Sequence, residues 1–185
     1  MRNKLIALLF VFGIVTLTAC GTSLQQDQLG AAEQQKYYEA LEDMADAASA
    51  IVEVELTGKS DTVKHREADF KITEATVKRV IKGDEQLKST TVRILEVAAF
   101  GMDDHKRNVL FLEKYAGPVI DDAYIVAGVY QGKFKLDKDD KLVYDGHRNG
   151  GLKSFQSQIE GLPMAEAEAK IQQAMQNAKQ PKSLQ

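Results

Sequence analysis

Leu5 to Leu17 form an apolar run broken only by Gly13 and Thr16, and beyond it the hydrophobic positions recur with two different periods. From Ala31 to Ala48, the residues Tyr37, Leu41, Met44 and Ala48 follow one another at helical spacing. Glu39, Glu42, Asp43 and Asp46 take the other faces, which predicts a one-sided amphipathic helix. Such a stripe packs on its own domain or serves a partner. The period then drops to two. Val52, Val54 and Leu56 alternate with Glu53, Glu55 and Thr57, the signature of a half-buried strand. The charged stretch Gly58 to Glu67 is expected to connect it to the next one. Ala68 to Ile81 changes apolar parity between Ile72 and Ala75, which predicts a bulge or bend near Thr73 to Ala75.

Lys82-Gly83-Asp84 supplies a turn, and Thr90 to Val97 reads as another strand. Val109-Leu110-Phe111-Leu112 is continuously apolar and predicts a strand buried on both faces. Tyr124-Ile125-Val126 continues the series. Phe134 and Leu136, then Leu142 and Tyr144, flank the polar tip Asp137 to Lys141 as a hairpin. After Gly150-Gly151 the stripe Leu152, Phe155 and Ile159 predicts a short helix. Gly161 ends it, and Pro163 suits the first turn of a second helix carrying Ile171, Ala174, Met175 and Ala178. Six or seven short strands without alternating helices predict an α+β fold. Its core is a mainly antiparallel sheet curled into a barrel or sandwich, with one N-terminal helix and C-terminal helices.

Composition narrows the function classes. A chain of 185 residues that is 44% hydrophobic and 28% charged has the make-up of one globular domain rather than a disordered or polytopic chain. The single Cys excludes a disulfide scaffold and any multi-Cys zinc site. A formal net charge of -3 offers no basic field for nucleic acid.

That one Cys sits where the apolar run ends. Arg2 and Lys4 precede the run, which is shorter than the roughly 20 residues a membrane-spanning helix needs. Its end, Leu17-Thr18-Ala19-Cys20, resembles the lipobox of bacterial lipoproteins. The resemblance implies signal-peptidase cleavage between Ala19 and Cys20, and lipidation of the Cys20 thiol as a thioether. Two acyl chains anchor a protein where one binds only marginally. Removing Arg2 and Lys4 takes 24 basic residues to 22 against 27 acidic ones, so the mature chain is -5 and gains nothing from anionic headgroups. The expected organisation is a signal segment 1–19, a lipidated Cys and tether 20–30, one globular unit 31–175 with its β core at about 50–144, and a flexible tail 176–185.

Three further segments carry a second resemblance. Val77 to Asp84, Val109 to Leu112, and Tyr124 with Gly128 to Phe134 look like a domain of uncharacterised exported proteins and lipoproteins of Gram-positive bacteria. In that family a strand ends in a lysine-glycine turn, a later strand ends in Phe-Leu, and a Gln-Gly-x-Phe segment precedes the last hairpin. The resemblance spans about Ala50 to Tyr144 and brings no catalytic residues. In outline such a barrel is also similar to netrin-like inhibitor domains, whose disulfides and free N-terminal cysteine this chain lacks once Cys20 is lipidated.

Local tests for chemistry fail one after another. Counted as an EF-hand from Asp137, the loop would put Lys141 at the fifth position, Leu142 at the sixth and Arg148 at the twelfth, which suits a solvated hairpin tip rather than calcium. His65, His105 and His147 lack the paired helical spacing of a zincin site. No metal, cofactor or catalytic residue is therefore expected. Tyr115, Tyr124, Tyr130, Phe134 and Tyr144 are candidate core residues, or alternatively a ligand-facing aromatic strip. The expected function is a non-enzymatic lipoprotein on the extracytoplasmic face of the cell membrane, held through Cys20. Its expected partner is an envelope protein or wall component, and nucleic acid is excluded. The alternatives are an envelope hydrolase and a small accessory solute-binding lipoprotein.

Overall fold

A computed structural model describes residues 37–102, 106–144 and 153–179. The apolar run, Ala19 and Cys20 lie outside the described residues, as do His105, His147 and the tail from position 180. No helix among the described residues is long and apolar enough to cross a membrane.

The fold is α+β: a seven-stranded sheet and two α-helices. In chain order the elements are α1 (Leu41–Ala47), β1 (Ala50–His65), β2 (Ala68–Lys82), β3 (Thr91–Val97), β4 (Arg107–Lys114), β5 (Tyr124–Val126), β6 (Lys133–Leu136), β7 (Leu142–Val143) and α2 (Met164–Ala178). The first half of β1 bonds β2 on one side and β4 on the other, both antiparallel. β2 pairs with β3, β4 pairs with β5, and β3 meets β5 in parallel through Ile94 with Tyr124 and Leu95 with Ile125. The pairings therefore return on themselves through β1, β2, β3, β5 and β4. Beyond this ring, β6 and β7 extend the sheet from β4.

Alternation along the strands sends side chains to three separate cores. Val52, Val54, Ala75, Val77, Ile94, Leu110 and Leu112 fill the inside of the ring. On the outside of β1 and β4, Ile51, Val109 and Phe111 pack under α1, α2 and the β6–β7 hairpin, where Phe111 meets Phe134 and Phe155. A smaller cluster lies outside β2, β3 and β5, where Ile72 and Leu95 are covered by Val119 and Ile120 of the β4–β5 segment. The apolar run Val109 to Leu112 is thus buried on both faces, as its pattern predicts, because each parity meets a different core.

Several expectations need correction. Gly58 to Glu67 is not a connection: β1 continues to His65 and turns at Arg66-Glu67 into β2, making a long exposed ribbon. Neither is the start of β1 half-buried, since Ala50 to Val54 are all buried. Glu53 is covered because Arg107 bonds it at 2.7 Å and Arg79 lies 3.6 Å away, charges that let a carboxylate sit under the helical layer. The bulge expected in β2 belongs to β1. β2 pairs with β3 without a shift, whereas Thr57, Gly58 and Lys59 of β1 stand opposite Glu74 alone. The parity change in β2 instead reflects two covered faces, with Ile72 facing the outer cluster and Ala75 the ring interior.

At the N-terminal side, the helix expected over 31–48 begins only at Leu41; positions 31–36 are outside the described residues. Tyr37 is 46% exposed and Tyr38 is buried in its place. The reason is tertiary. The Gln131 amide takes the Tyr38 N–H and donates to the Tyr38 carbonyl, both at 2.9 Å, which diverts that peptide from helical bonding. The first of the two expected C-terminal helices is only a 3-10 turn, Phe155–Gln158. The Gln156 side chain accepts the Ser154 N–H and donates to the Gln131 carbonyl, and Gly161, in a turn at φ +78°, and Leu162 then bond to Leu142 of β7. Pro163 stands at the N-cap of α2 rather than within its first turn, and α2 runs on to Ala178.

Candidate functional site

Four polar or concave regions stand out, and the first two explain sequence motifs as packing. The Gln131-Gly132-Lys133-Phe134 segment is buried throughout. Gln131 clamps Tyr38, and a Cβ on Gly132 would stand 2.8 Å from the Phe111 Cβ. Phe134 packs between Phe111 and Tyr144. The Lys133 ammonium bonds Glu96 at 2.8 Å and also donates to the Phe100 carbonyl, while the second Glu96 oxygen accepts the Met102 N–H at 2.9 Å. The side chains of Lys133 and Glu96 are 10% and 2% exposed, so this pair locks the end of β3 against β6 away from water.

The Lys82-Gly83-Asp84 turn is equally structural. Lys82 donates to the carbonyls of Ala45 and Asp46 at the end of α1, where a cation complements the helix dipole. Burial presses its ammonium below the ordinary lysine range, with Asp46 opposing the shift. Gly83, at φ +114°, brings its Cα close to Ser49, and Asp84 accepts the Gln86 N–H. A cleft of about 390 Å³ beside it is lined by Ile81, Lys82, Met175 and Lys179 among others. The phenol of Tyr38, where the chain joins the core, is raised to about 12 by burial, then by the charge of Glu113 and its hydrogen bond.

The third region is a lattice of charge on β1, centred on the buried Glu53. Arg107 joins Glu53 to Asp140 of the hairpin tip, and Arg79 joins Glu53 to Glu168 of α2 at 2.9 Å. These bonds hold the hairpin and α2 over the outside of the ring. Next along β1, Glu55 lies between Lys106 at 2.7 Å and Lys78 at 2.9 Å, and these two bonds lower its carboxyl to about 2.

The fourth region is the candidate site. Where β1 bulges, the end of the ring opens into a pocket of about 310 Å³. Gly58 at φ +83° makes the bulge possible. Thr57 fixes it by donating to the Glu74 carbonyl at 3.1 Å and accepting the Lys59 N–H at 3.2 Å. Leu56 contributes an apolar wall, and Lys59, Ser60, Lys71, Thr73 and Lys106 line the rest with Thr57 and Gly58. Lys71 and Thr73 continue the inward row of Ala75 and Val77 out to the mouth. The Lys71 ammonium donates to the Met102 carbonyl at 2.7 Å, and the Thr73 hydroxyl, in a residue 4% exposed, has no hydrogen-bond partner among the described residues. Three lysines and three hydroxyl residues thus line a pocket without a carboxylate, in a chain of net charge -3.

Sequence reasoning missed this pocket, because its residues come from three segments joined only by the register shift. The aromatic residues do not form one strip: Phe134 and Tyr144 belong to the core under the helices, Tyr115 receives the Val119 N–H in the outer cluster, and Tyr130 packs on Phe100. Among the described residues no three metal-binding side chains gather, and His65 stands at the end of the ribbon. No family model matches the chain, and no curated protein matches it.

Proposed function

We propose that this protein is an exported lipoprotein that binds a component of the cell envelope without chemical turnover. Cys20 carries the lipid, cleavage falls between Ala19 and Cys20, and the domain stands on the extracytoplasmic face of the cell membrane. Its relatives on this reading are the exported β-domain proteins of Gram-positive bacteria, and its partner is an envelope protein or wall component.

One observation carries the proposal. The chain joins the domain at Tyr38 and α1, beside the start of β1, whereas the basic pocket opens at the far end of that strand's ring-forming half. From Ala50 to Leu56 the rise is about 20 Å at about 3.3 Å per residue, so a tether on one end leaves the pocket displayed at the other. The pairing order β1-β2-β3-β5-β4 and back to β1 is that of the five-stranded Greek-key OB-fold, a scaffold that binds oligosaccharides and oligonucleotides through its β2–β3 face and flanking loops. Here Val119 and Ile120 occupy the outside of β2 and β3, so the reading rests on the bulge pocket and not on that face. Fold analogy supplies no ligand by itself.

Feeding cells a clickable fatty acid tests the anchor. The wild-type protein takes up label and a Cys20→Ser variant does not; equal labelling of both refutes it. Crosslinking in intact cells tests the binding role, and a specific partner captured by the lipidated form and lost with Cys20→Ser is the expected result. Turnover of a wall or lipid substrate that one point substitution abolishes without unfolding would overturn the non-enzymatic reading.

A further inference from the structure

We infer that the bulge pocket is a binding site for a phosphate oxyanion, either free or at the head of a small phosphate ester. The inference deepens the binding-module reading by naming a ligand chemistry.

Charge is the first ground. Lys59 lies 3.8 Å from Glu74 and Lys106 bonds Glu55 at 2.7 Å, but both carboxylates lie outside the pocket lining. Lys71 has no carboxylate partner among the described residues. Its one bond goes to the Met102 carbonyl, which leaves two of its N–H groups without a protein partner beside a pocket that the residue lines. A cation half-withdrawn from water and unopposed by an acid favours an anionic occupant, and lysine serves phosphate as a point charge.

The unpaired hydroxyl is the second, independent ground. Buried polar groups in folded proteins almost always have partners, and Thr73 Oγ1 has none among the described residues. It sits on the same inward row as Lys71, two residues along, and its residue lines the same pocket; the oxygen itself is covered, so a rotation about χ1 is what presents it to a ligand. Thr57 is committed to the bulge, while Ser60 adds a second hydroxyl from β1. Donors from two strands around a common space suit the several oxygens of a tetrahedral oxyanion. The volume of about 310 Å³ is at the low end of the roughly 300–1,000 Å³ of small-molecule clefts, room for a phosphate and a short substituent against Leu56. The bulge itself belongs to the site: the pocket lies where Thr57, Gly58 and Lys59 stand opposite Glu74 alone.

The full chain in neutral detergent, titrated with inorganic phosphate, glycerol 3-phosphate or chloride at matched ionic strength, provides the test. Amide shifts at Leu56, Ser60, Lys71 and Thr73 should saturate for the phosphates with millimolar dissociation constants, about 1–10 mM, and not for chloride. Lys71→Met and Thr73→Val should each weaken binding about tenfold. Thr73→Val should also raise the melting temperature of the unliganded protein, because the methyl replaces an unpaired hydroxyl; a purely structural threonine would not couple these two effects. Mixed micelles containing phosphatidylglycerol separate the sources: saturation by them but not by glycerol 3-phosphate assigns the phosphate to a lipid headgroup. Absence of saturation by any phosphate up to about 50 mM would overturn the proposal, as would titration of both variants like wild type. Should Thr73→Val not fold, Lys71→Met decides alone. Failure here leaves the fatty-acid labelling and crosslinking results standing, so the two readings fail separately.

Discussion

Replacing Lys133 by Met should be among the most damaging single changes in the molecule, although it touches no proposed ligand. The ammonium and the Glu96 carboxylate meet at 2.8 Å, and at an effective dielectric of about 20 their attraction amounts to about 6 kcal/mol. Desolvation of both groups offsets much of that, so the pair adds little compared with an apolar pair of similar size. Breaking it is another matter, since the surviving charge stays buried at a cost of about 3–5 kcal/mol. For a domain of this size each kcal/mol moves the melting temperature about 3–4 °C, so Lys133→Met should melt about 10–20 °C lower. Glu96→Gln should lose a comparable amount by stranding Lys133, while its amide oxygen still accepts the Met102 N–H. The double variant holds no stranded charge and should lose less than about 2 kcal/mol. Urea unfolding of all four proteins gives the cycle, with an expected coupling of at least about 2 kcal/mol. Single losses that add to within about 0.5 kcal/mol would show that the two charges do not depend on each other, and the reasoning would fail.

Two more expectations follow from packing and charge. Phe111→Ala removes a fully buried ring that holds Phe134 and Phe155 together, and should cost about 3–5 kcal/mol in chemical denaturation; a loss below about 1 kcal/mol would mean this core is not the tight contact described. Glu55, lowered from 4.5 to about 2 by its bonds to Lys106 and Lys78, prefers the folded state as a carboxylate. Its contribution is therefore complete above pH 4.5 and disappears as the pH falls toward 2. A carboxyl NMR titration should place its midpoint near 2, with Lys106→Met or strong salt moving it back toward the usual range; a midpoint unmoved by Lys106→Met would refute the cause.

Local pattern alone determined the elements whose two faces meet different environments in a simple way. The Val109 to Leu112 run, the hairpin of β6 and β7 around Asp137 to Lys141, and the stripe of α2 were all legible, because periodicity reports which side of an element is dry. The ribbon from Gly58 to Glu67 was not, since a two-stranded arm wet on both faces has no hydrophobic period and reads as a loop. Tertiary partners decided the rest. Glu53 looks solvent-facing until Arg79 and Arg107 arrive from other strands, and Tyr38 leaves its helix only because Gln131 takes both of its peptide groups. The Gln131 to Phe134 segment was visible as a motif, but its meaning lies in Tyr38, Phe111 and Glu96, none of which is near it in sequence. The candidate pocket is the extreme case. Lys59, Lys71, Thr73 and Lys106 carry no spacing signal, and they share a cavity because three residues of β1 face one of β2, a register event that depends on the whole ring closing.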